Sequence, residues 1–279
     1  MKDVLSFLLF SVISIIHAYA QNSPVTAVTG EPAERFMAIT IDDLPVNSIV
    51  GGLAHREYIT DNILQALKKH NAPGVGFVNE IKLYRNGKLV DGKVALLQKW
   101  IDYFIHPYLH AGNTQAKKDS LVKLLQEIGY QVAPVTIDNS EWIFARAYEK
   151  AFLKKDSVLM KKVGKAYVDY MEEKTVYFER QSKTLWGYEI FQILLIHSNH
   201  LNVDYLDSLL SRMKQRKYRF ISLEKALTDK VYTNKDTFVG KAGISWIDRW
   251  ALGMGKKENF FKDEPTTPQF VQEVAEITE

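Results

Sequence analysis

The chain has 279 residues, of which 46% are hydrophobic, which is enough to form the core of one domain. It contains no cysteine, which excludes disulfides, thiolate nucleophiles and sulfur-ligated metals. The net charge of +3 is small and no concentrated basic face is visible, so we expect no nucleic-acid partner.

The first 20 residues have the pattern of an export signal. Lys2 opens a short polar start, residues 4–16 form an apolar run, and Ala18 and Ala20 mark a cleavage site. The apolar run is shorter than the ~20 residues that a membrane span needs. We therefore expect an exported protein, periplasmic or secreted, with no membrane span after removal of the signal.

Beyond the signal, strand and helix patterns alternate. Residues 21–34 are polar and contain two prolines, which is typical of a leader. The alternation that follows predicts an α/β domain with a parallel sheet or barrel over residues 35–250, and residues 251–279 form a C-terminal tail. The predicted strands are residues 36–41, 75–78, 132–137, 193–196 and 218–221, and the predicted helices lie around residues 59–67, 94–101, 116–128, 142–183 and 205–213.

Polar side chains stand where several of the predicted strands end, at the rim where such folds place their active sites. The first strand ends in Asp42 and Asp43. Adjacent carboxylates repel each other unless they share a cation or a proton, so this pair indicates a metal ligand beside a general base. The alternative is a solvated turn in which an aspartate caps the next helix.

A second rim residue is His197, which follows the apolar strand 193–196. An imidazole at this place can transfer a proton near neutral pH. The alternative is a histidine that only satisfies hydrogen bonds at the rim. His200 is a less attractive candidate because it lies further into the loop.

Two further segments add polar groups to the rim. Residues 104–112 pass from strand to loop and place His106, Tyr108 and His110 near its mouth. The strand 132–137 is followed by Asp138, and Trp142 comes four residues later. Asp138 or Ser140 could equally be the N-cap of the helix that follows.

Together these segments resemble the motifs of the polysaccharide deacetylases with a NodB-homology domain. The resemblance spans residues 35–250 and implies a distorted (β/α) barrel. Residues 40–45 are similar to the first motif, residues 106–108 to part of the third, Asp138 with Trp142 to the fourth, and Leu194 with His197 to the fifth.

The resemblance implies a metal-dependent hydrolase that removes acetyl groups from an exported N-acetylated poly- or oligosaccharide. Asp42 would be the general base, and Asp43 would bind a divalent metal, zinc by resemblance, that activates water. His197 would protonate the leaving amine, and the backbone N–H near Tyr108 would bind the oxyanion. Asp138 and Trp142 would contact the substrate.

The chain departs from the family pattern in two places. The histidine pair of the second motif is absent, and the helix that ends near Asp102 runs into residues 103–105 without the usual loop of ~2–6 residues. We therefore expect an incomplete barrel that lacks one βα unit and carries residues 142–183 as an added helical segment. Ile105 stands where the family has an arginine, so we expect one pKa of the aspartate pair to rise if no other cation is near.

The metal site is therefore incomplete. His106 and His110 have the spacing of a histidine pair and could join Asp43, since catalytic zinc usually has three protein ligands and a water. Two functions remain open. One is a carbohydrate deacetylase, and the other is a catalytically inactive NodB-like protein that binds saccharides and has lost its metal.

Overall fold

A computed structural model describes residues 34–103, 133–239 and 243–279. The predicted signal, the leader before Glu34 and the predicted helix 116–128 lie outside the described residues. The site candidates His106, Tyr108 and His110 also lie outside them. The expected loss of a βα unit falls on the same gap and stays a prediction.

Strands and helices are interleaved along the described chain up to β6, with two consecutive helices before β5, and only helices and turns follow β6. One short antiparallel hairpin is separate from the main sheet. In chain order they are β1 (Arg35–Leu44), α1 (Leu53–His70), β2 (Gly74–Val78), a 3₁₀ turn (Glu80–Leu83), β3 (Tyr84–Arg85), β4 (Lys88–Leu89), α2 (Asp91–Tyr103), α3 (Glu141–Leu153), α4 (Ser157–Trp186), β5 (Gln192–His197), α5 (His200–Gln215), β6 (Tyr218–Phe220), α6 (Leu223–Ala226), a second 3₁₀ turn (Lys230–Thr233), α7 (Trp246–Gly253), α8 (Glu258–Phe261) and α9 (Gln269–Ala275).

Strand β1 is the centre of the main sheet. It pairs in parallel with β2, β5 and β6. Its side chains Met37, Ala38, Ile39 and Ile41 are all fully buried, although successive side chains of a strand point to opposite faces. A parallel sheet covered on both faces requires such a continuous apolar run. The predicted α/β class with a parallel sheet is confirmed, and the arrangement fits a distorted barrel.

The predicted helical segment 142–183 is two helices. Helix α3 ends at Leu153, and α4 begins after Asp156, whose carboxylate accepts a hydrogen bond from the N–H of Leu159 at 2.9 Å. An aspartate N-cap of this kind satisfies one of the free N–H groups of the new helix. Both helices bury one face in the main core, so much of the added segment serves packing.

The predicted strand 132–137 is wrong in its described part. Only Ile137 forms a bridge, to Leu194 of β5. Pro134 has no N–H to donate to a ladder, and the N–H groups of Thr136 and Ile137 both bond to the carbonyl of Ile193, at 3.0 Å each. The segment therefore follows β5 without forming a regular strand.

The segment after residue 250 is ordered and packed. Helix α9 buries Val271 and Ala275 completely in the main core. The C-terminal segment thus contributes to the core instead of lying at the periphery. Within the described ranges, no helix combines the length and apolarity that crossing a membrane requires.

Candidate active site

Asp42 and His197 are neighbours at the rim of the sheet. They are register partners in the β1–β5 ladder, so their side chains leave the sheet on the same face. Behind them, the N–H of Asn47 donates to the carbonyl of Ser198 at 2.6 Å, and the hydroxyl of Ser198 donates to the carbonyl of Pro45 at 3.0 Å. The loops that follow both strands are therefore tied together beneath the pair.

His197 is held by Glu141, the first residue of α3. Its Nδ1 lies 2.8 Å from Oε2 of Glu141, which is fully buried. The other oxygen, Oε1, accepts hydrogen bonds from the amides of Asn199 at 2.5 Å and Asn202 at 2.6 Å. Because a carboxylate oxygen accepts hydrogen bonds, Nδ1 of His197 donates to Glu141, and Nε2 is the ring nitrogen that Glu141 does not engage.

The pKa of His197 is raised above its ordinary value. Burial is the largest single influence and lowers the pKa, but the hydrogen bond and charge of Glu141, together with the charges of Asp42 and Asp43, outweigh it. The environment therefore favours the imidazolium, which is the form that can donate a proton.

The backbone at Asp43 departs from the regular strand. Its φ of 64° is in the left-handed region, which aspartate tolerates better than most residues, and the β1–β2 register shifts between Ile41 and Leu44. Oδ1 accepts a hydrogen bond from the amide of Asn79 at 2.9 Å. Oδ2 forms an ion pair with the ammonium of Lys82 at 3.3 Å.

The pKa of Asp43 is lowered. Burial is the largest influence and raises the pKa, but the hydrogen bond from Asn79 and the charges of Lys82 and His197 outweigh it. A raised pKa was expected only if no cation lies near the aspartate pair. At Asp43 that condition does not hold, because the hydrogen bond from Asn79 and the ammonium of Lys82 both stabilise the charged form.

Asp138 and Trp142 lie on either side of Glu141, where α3 begins. Burial raises the pKa of Asp138 to about 6, against the charge of Lys174. Trp142 is 44% exposed, so part of its ring faces solvent. Ser140 is the N-cap of α3, but its hydroxyl makes no capping bond, and the N–H of Glu141 instead bonds to Oδ1 of Asn139 at 3.1 Å.

His200, which the sequence places in a loop, is the first residue of α5. It is buried, with ring centroids of Phe152 at 4.5 Å and His55 at 4.8 Å. It packs among aromatic rings and has no hydrogen bond to His197 or Glu141 among the described contacts.

Several site residues were not predicted from the sequence. Glu141 directly precedes Trp142 and shortly follows the apolar segment that ends at Ile137, and this position was a signal that could have identified it. Asn199 lies two residues after His197, where a side chain can turn back to the rim. Lys82 carries no such signal, because only the folded 3₁₀ turn after β2 brings it to Asp43.

The described residues do not fit a metal ion at Asp43. Among them, no three histidine, aspartate or glutamate side chains are arranged to hold one. The carboxylate of Asp43 is also engaged at both oxygens, by Asn79 and Lys82. His106 and His110 lie outside the described residues, so their role as metal ligands stays a prediction.

No family model matches the chain, and no curated protein matches it. Several solved structures are similar to it. A polysaccharide deacetylase from Bacillus cereus is 17% identical, with 68% of this chain and 92% of that chain covered and a TM-score of 0.34. A CE4-family pseudoenzyme from Bacillus anthracis is 14% identical, with 71% and 67% covered and a TM-score of 0.32. A mutant CE4-family pseudoenzyme with restored enzymatic activity is 16% identical, with 71% and 69% covered and a TM-score of 0.31.

These neighbours are a polysaccharide deacetylase and CE4-family pseudoenzymes, the kind of protein that the sequence motifs resemble. Similarity at this TM-score assigns neither a reaction nor a metal to this chain.

Proposed function

We propose that this chain hydrolyses acetyl groups on a poly- or oligosaccharide, with Asp42 and His197 as its acid–base pair. The observation that carries the proposal is the pairing of these residues across β1 and β5, with His197 fixed from behind by the buried Glu141. A carboxylate and an imidazolium on one face of a rim can act on the two sides of an acyl group.

The chemistry requires two proton transfers. Asp42 removes a proton from the water that attacks the acetyl carbonyl carbon. Nε2 of His197 donates a proton to the sugar nitrogen or oxygen as its bond to the acyl carbon breaks, and acetate leaves. Glu141 stabilises the imidazolium before this transfer, and each such group typically contributes about 10²–10⁴-fold to a rate.

The substrate follows from two features. The signal at residues 1–20 favours export, so the substrate is an acetylated glycan outside the inner membrane. The exposed face of Trp142 beside Glu141 provides a surface on which a sugar ring can stack. A zinc ion at this rim would need ligands from outside the described residues, and His106 and His110 are the candidates.

A second function, saccharide binding without catalysis, is favoured by one observation. Asp43 already has an ammonium and an amide as partners, so the group expected to bind a metal is engaged. In this alternative, Trp142 and Asp138 still bind the sugar, and nothing is hydrolysed.

The test is acetate release from N-acetylated chitooligosaccharides and from O-acetylated xylan. We expect release by the full chain and a loss of about 10²–10⁴-fold in His197→Gln. His70→Gln is the matched control, because His70 is also buried and bonds to a carboxylate, that of Asp207 at 2.7 Å. No release by the native chain, together with oligosaccharide binding that Trp142→Ala abolishes, would select the binding function.

A further inference from the structure

We propose that the ammonium group of Lys82 takes the place of a metal ion at Asp43, so that the site contains its own cation. The inference concerns the site of the proposed function and rests on that function for the role of the rim. It contradicts the zinc site that the family resemblance implies.

The backbone brings Lys82 to Asp43. The N–H of Asn79 donates to the carbonyl of Leu44 at 3.1 Å, which fixes the end of β2 against the end of β1. The N–H of Lys82 then donates to the carbonyl of Asn79 at 3.0 Å in the 3₁₀ turn. One turn of chain therefore delivers an amide and an ammonium to the same carboxylate.

The ammonium has a second partner on the rim. Nζ of Lys82 donates to Oδ1 of Asn47 at 2.9 Å, and the N–H of Asn47 is bonded to the carbonyl of Ser198. The Lys82 side chain is 22% exposed and that of Asp43 is 30% exposed. Lys82 is thus held by Asp43 at the end of β1 and by Asn47 in the loop that follows, and Asn47 in turn bonds to the loop after β5.

The ammonium of Lys82 and a metal ion would compete for the same oxygen, Oδ2 of Asp43. Zinc binds a carboxylate oxygen at about 2.0–2.2 Å. An ion at that distance from Oδ2 of Asp43 would lie beside the ammonium that is 3.3 Å from the same oxygen. Two positive charges so close repel each other, and either Lys82 or the metal must leave.

Lys82 is a positioning residue in this account. It neutralises Asp43, and so it lowers the negative charge beside Asp42 without touching the substrate. Its removal should change the stability of the rim and the dependence of the protein on metal, which a lysine that only packs at the surface would not do.

The first experiment measures thermal unfolding of the full chain with added zinc and with a chelator. We expect the same melting temperature in both, because a ligand stabilises a folded protein only if it binds it. A rise with zinc that is lost in Asp43→Asn would overturn the proposal.

The second experiment is a double-mutant cycle of Lys82→Met and Asp43→Asn. Each single variant leaves one charge without its partner, so we expect the double variant to melt higher than the sum of the two losses predicts. Lys88→Met, which changes an exposed lysine on the neighbouring hairpin, is the control and should leave the melting temperature unchanged. Additive losses would contradict the pairing, and if a single variant does not fold, the zinc and chelator result decides.

Acetate release separates this inference from the proposed function. Release that a chelator leaves unchanged supports both. Release that a chelator abolishes and zinc restores overturns the role of Lys82 and leaves the hydrolase intact. The chain could also release no acetate while Lys82 and Asp43 are energetically coupled and zinc does not change the melting temperature. That result overturns the proposed hydrolysis and leaves the role of Lys82 intact.

Discussion

Glu141 connects most of the polar groups at the rim. It is fully buried, and its two oxygens accept hydrogen bonds from His197, Asn199 and Asn202. A buried carboxylate is costly unless it is hydrogen-bonded or paired, and here three donors surround it. The network is closed by Tyr167, whose hydroxyl donates to Oδ1 of Asn202 at 2.7 Å. The position of the His197 ring is therefore set by groups that solvent does not reach.

Glu141→Gln should lower the pKa of His197. Burial lowers this pKa, and the hydrogen bond and negative charge of Glu141 raise it, so an amide in the same place removes the charge that raises it. The imidazolium should then lose its proton at a lower pH, and the alkaline limb of the acetate-release profile should move down. An NMR titration of the ring measures the pKa directly.

Glu179→Gln is the control for this variant. Glu179 is also buried and ion-paired, with Arg216 at 2.6 Å, but it makes no contact with the rim. Its loss should leave the titration of His197 unchanged. Equal shifts in both variants would show that the pKa of His197 does not depend on Glu141.

At the scale of single residues, the sequence was most informative where a strand ends. Asp42 and His197 could be predicted because an apolar run stops at each, and the structure brings them together. Glu141 and Lys82 could not be predicted in the same way. Their roles depend on a helix start and a 3₁₀ turn whose orientation relative to the sheet is set by tertiary packing.

At the scale of elements, a cluster of rings joins α1, α3 and α5. The ring of His200 lies 4.5 Å from that of Phe152, 4.8 Å from that of His55 and 5.7 Å from that of Tyr148. Burial lowers the pKa of His200 most, and the charge of His55 lowers it further, against the charge of Asp204. The helix interface thus favours a neutral imidazole.

His200→Phe should make stability less dependent on pH. The folded pKa of His200 lies below the unfolded value of ~6.5, so the unfolded chain binds the proton more readily and the free energy of unfolding falls as pH drops through ~6.5. Phenylalanine fills the same space and cannot be protonated. Urea unfolding at about pH 7.5 and about pH 5 should show a smaller loss in the variant than in the native chain. If the free energy of unfolding falls equally in the variant and the native chain, His200 does not cause this pH dependence.

Helix α9 gives a second test at this scale. Val271 is fully buried, so Val271→Ala removes two methyl groups from the core and should lower the free energy of unfolding by about 1–3 kcal/mol. Val158→Ala makes the same change at a side chain that is 77% exposed and should have almost no effect. Denaturant unfolding measures both. Equal stability of the two variants would show that α9 is not part of the core.

The elements themselves show what periodicity can and cannot predict. The helices around residues 59–67 and 205–213 were predicted from their apolar stripes, and the structure has them as α1 and α5. Residues 133–137 have the composition of a strand but lack a regular ladder, because Pro134 has no N–H to donate. Helix α9 was missed because its charged surroundings hide the two buried positions, Val271 and Ala275.

At the scale of the whole molecule, the parallel sheet explains why distant residues share one rim. Strands β1 and β5 run in the same direction, so residues 42 and 197 meet although 154 other residues separate them in the chain. Strand–helix alternation was sufficient to predict this meeting. It could not predict that Glu141 at the start of α3 would place its carboxylate against the ring of His197.

The most direct measurement of the central claim is acetate release by Asp42→Asn, His197→Gln and the double variant. If the two residues act in one reaction step, the rate of acetate release falls by about 10²–10⁴-fold in each single variant. In the double variant it is then only slightly lower than in the less active single variant. Single variants that release acetate at the native rate would contradict the account, because Asp42 and His197 would then be neighbours at the rim without a part in the chemistry.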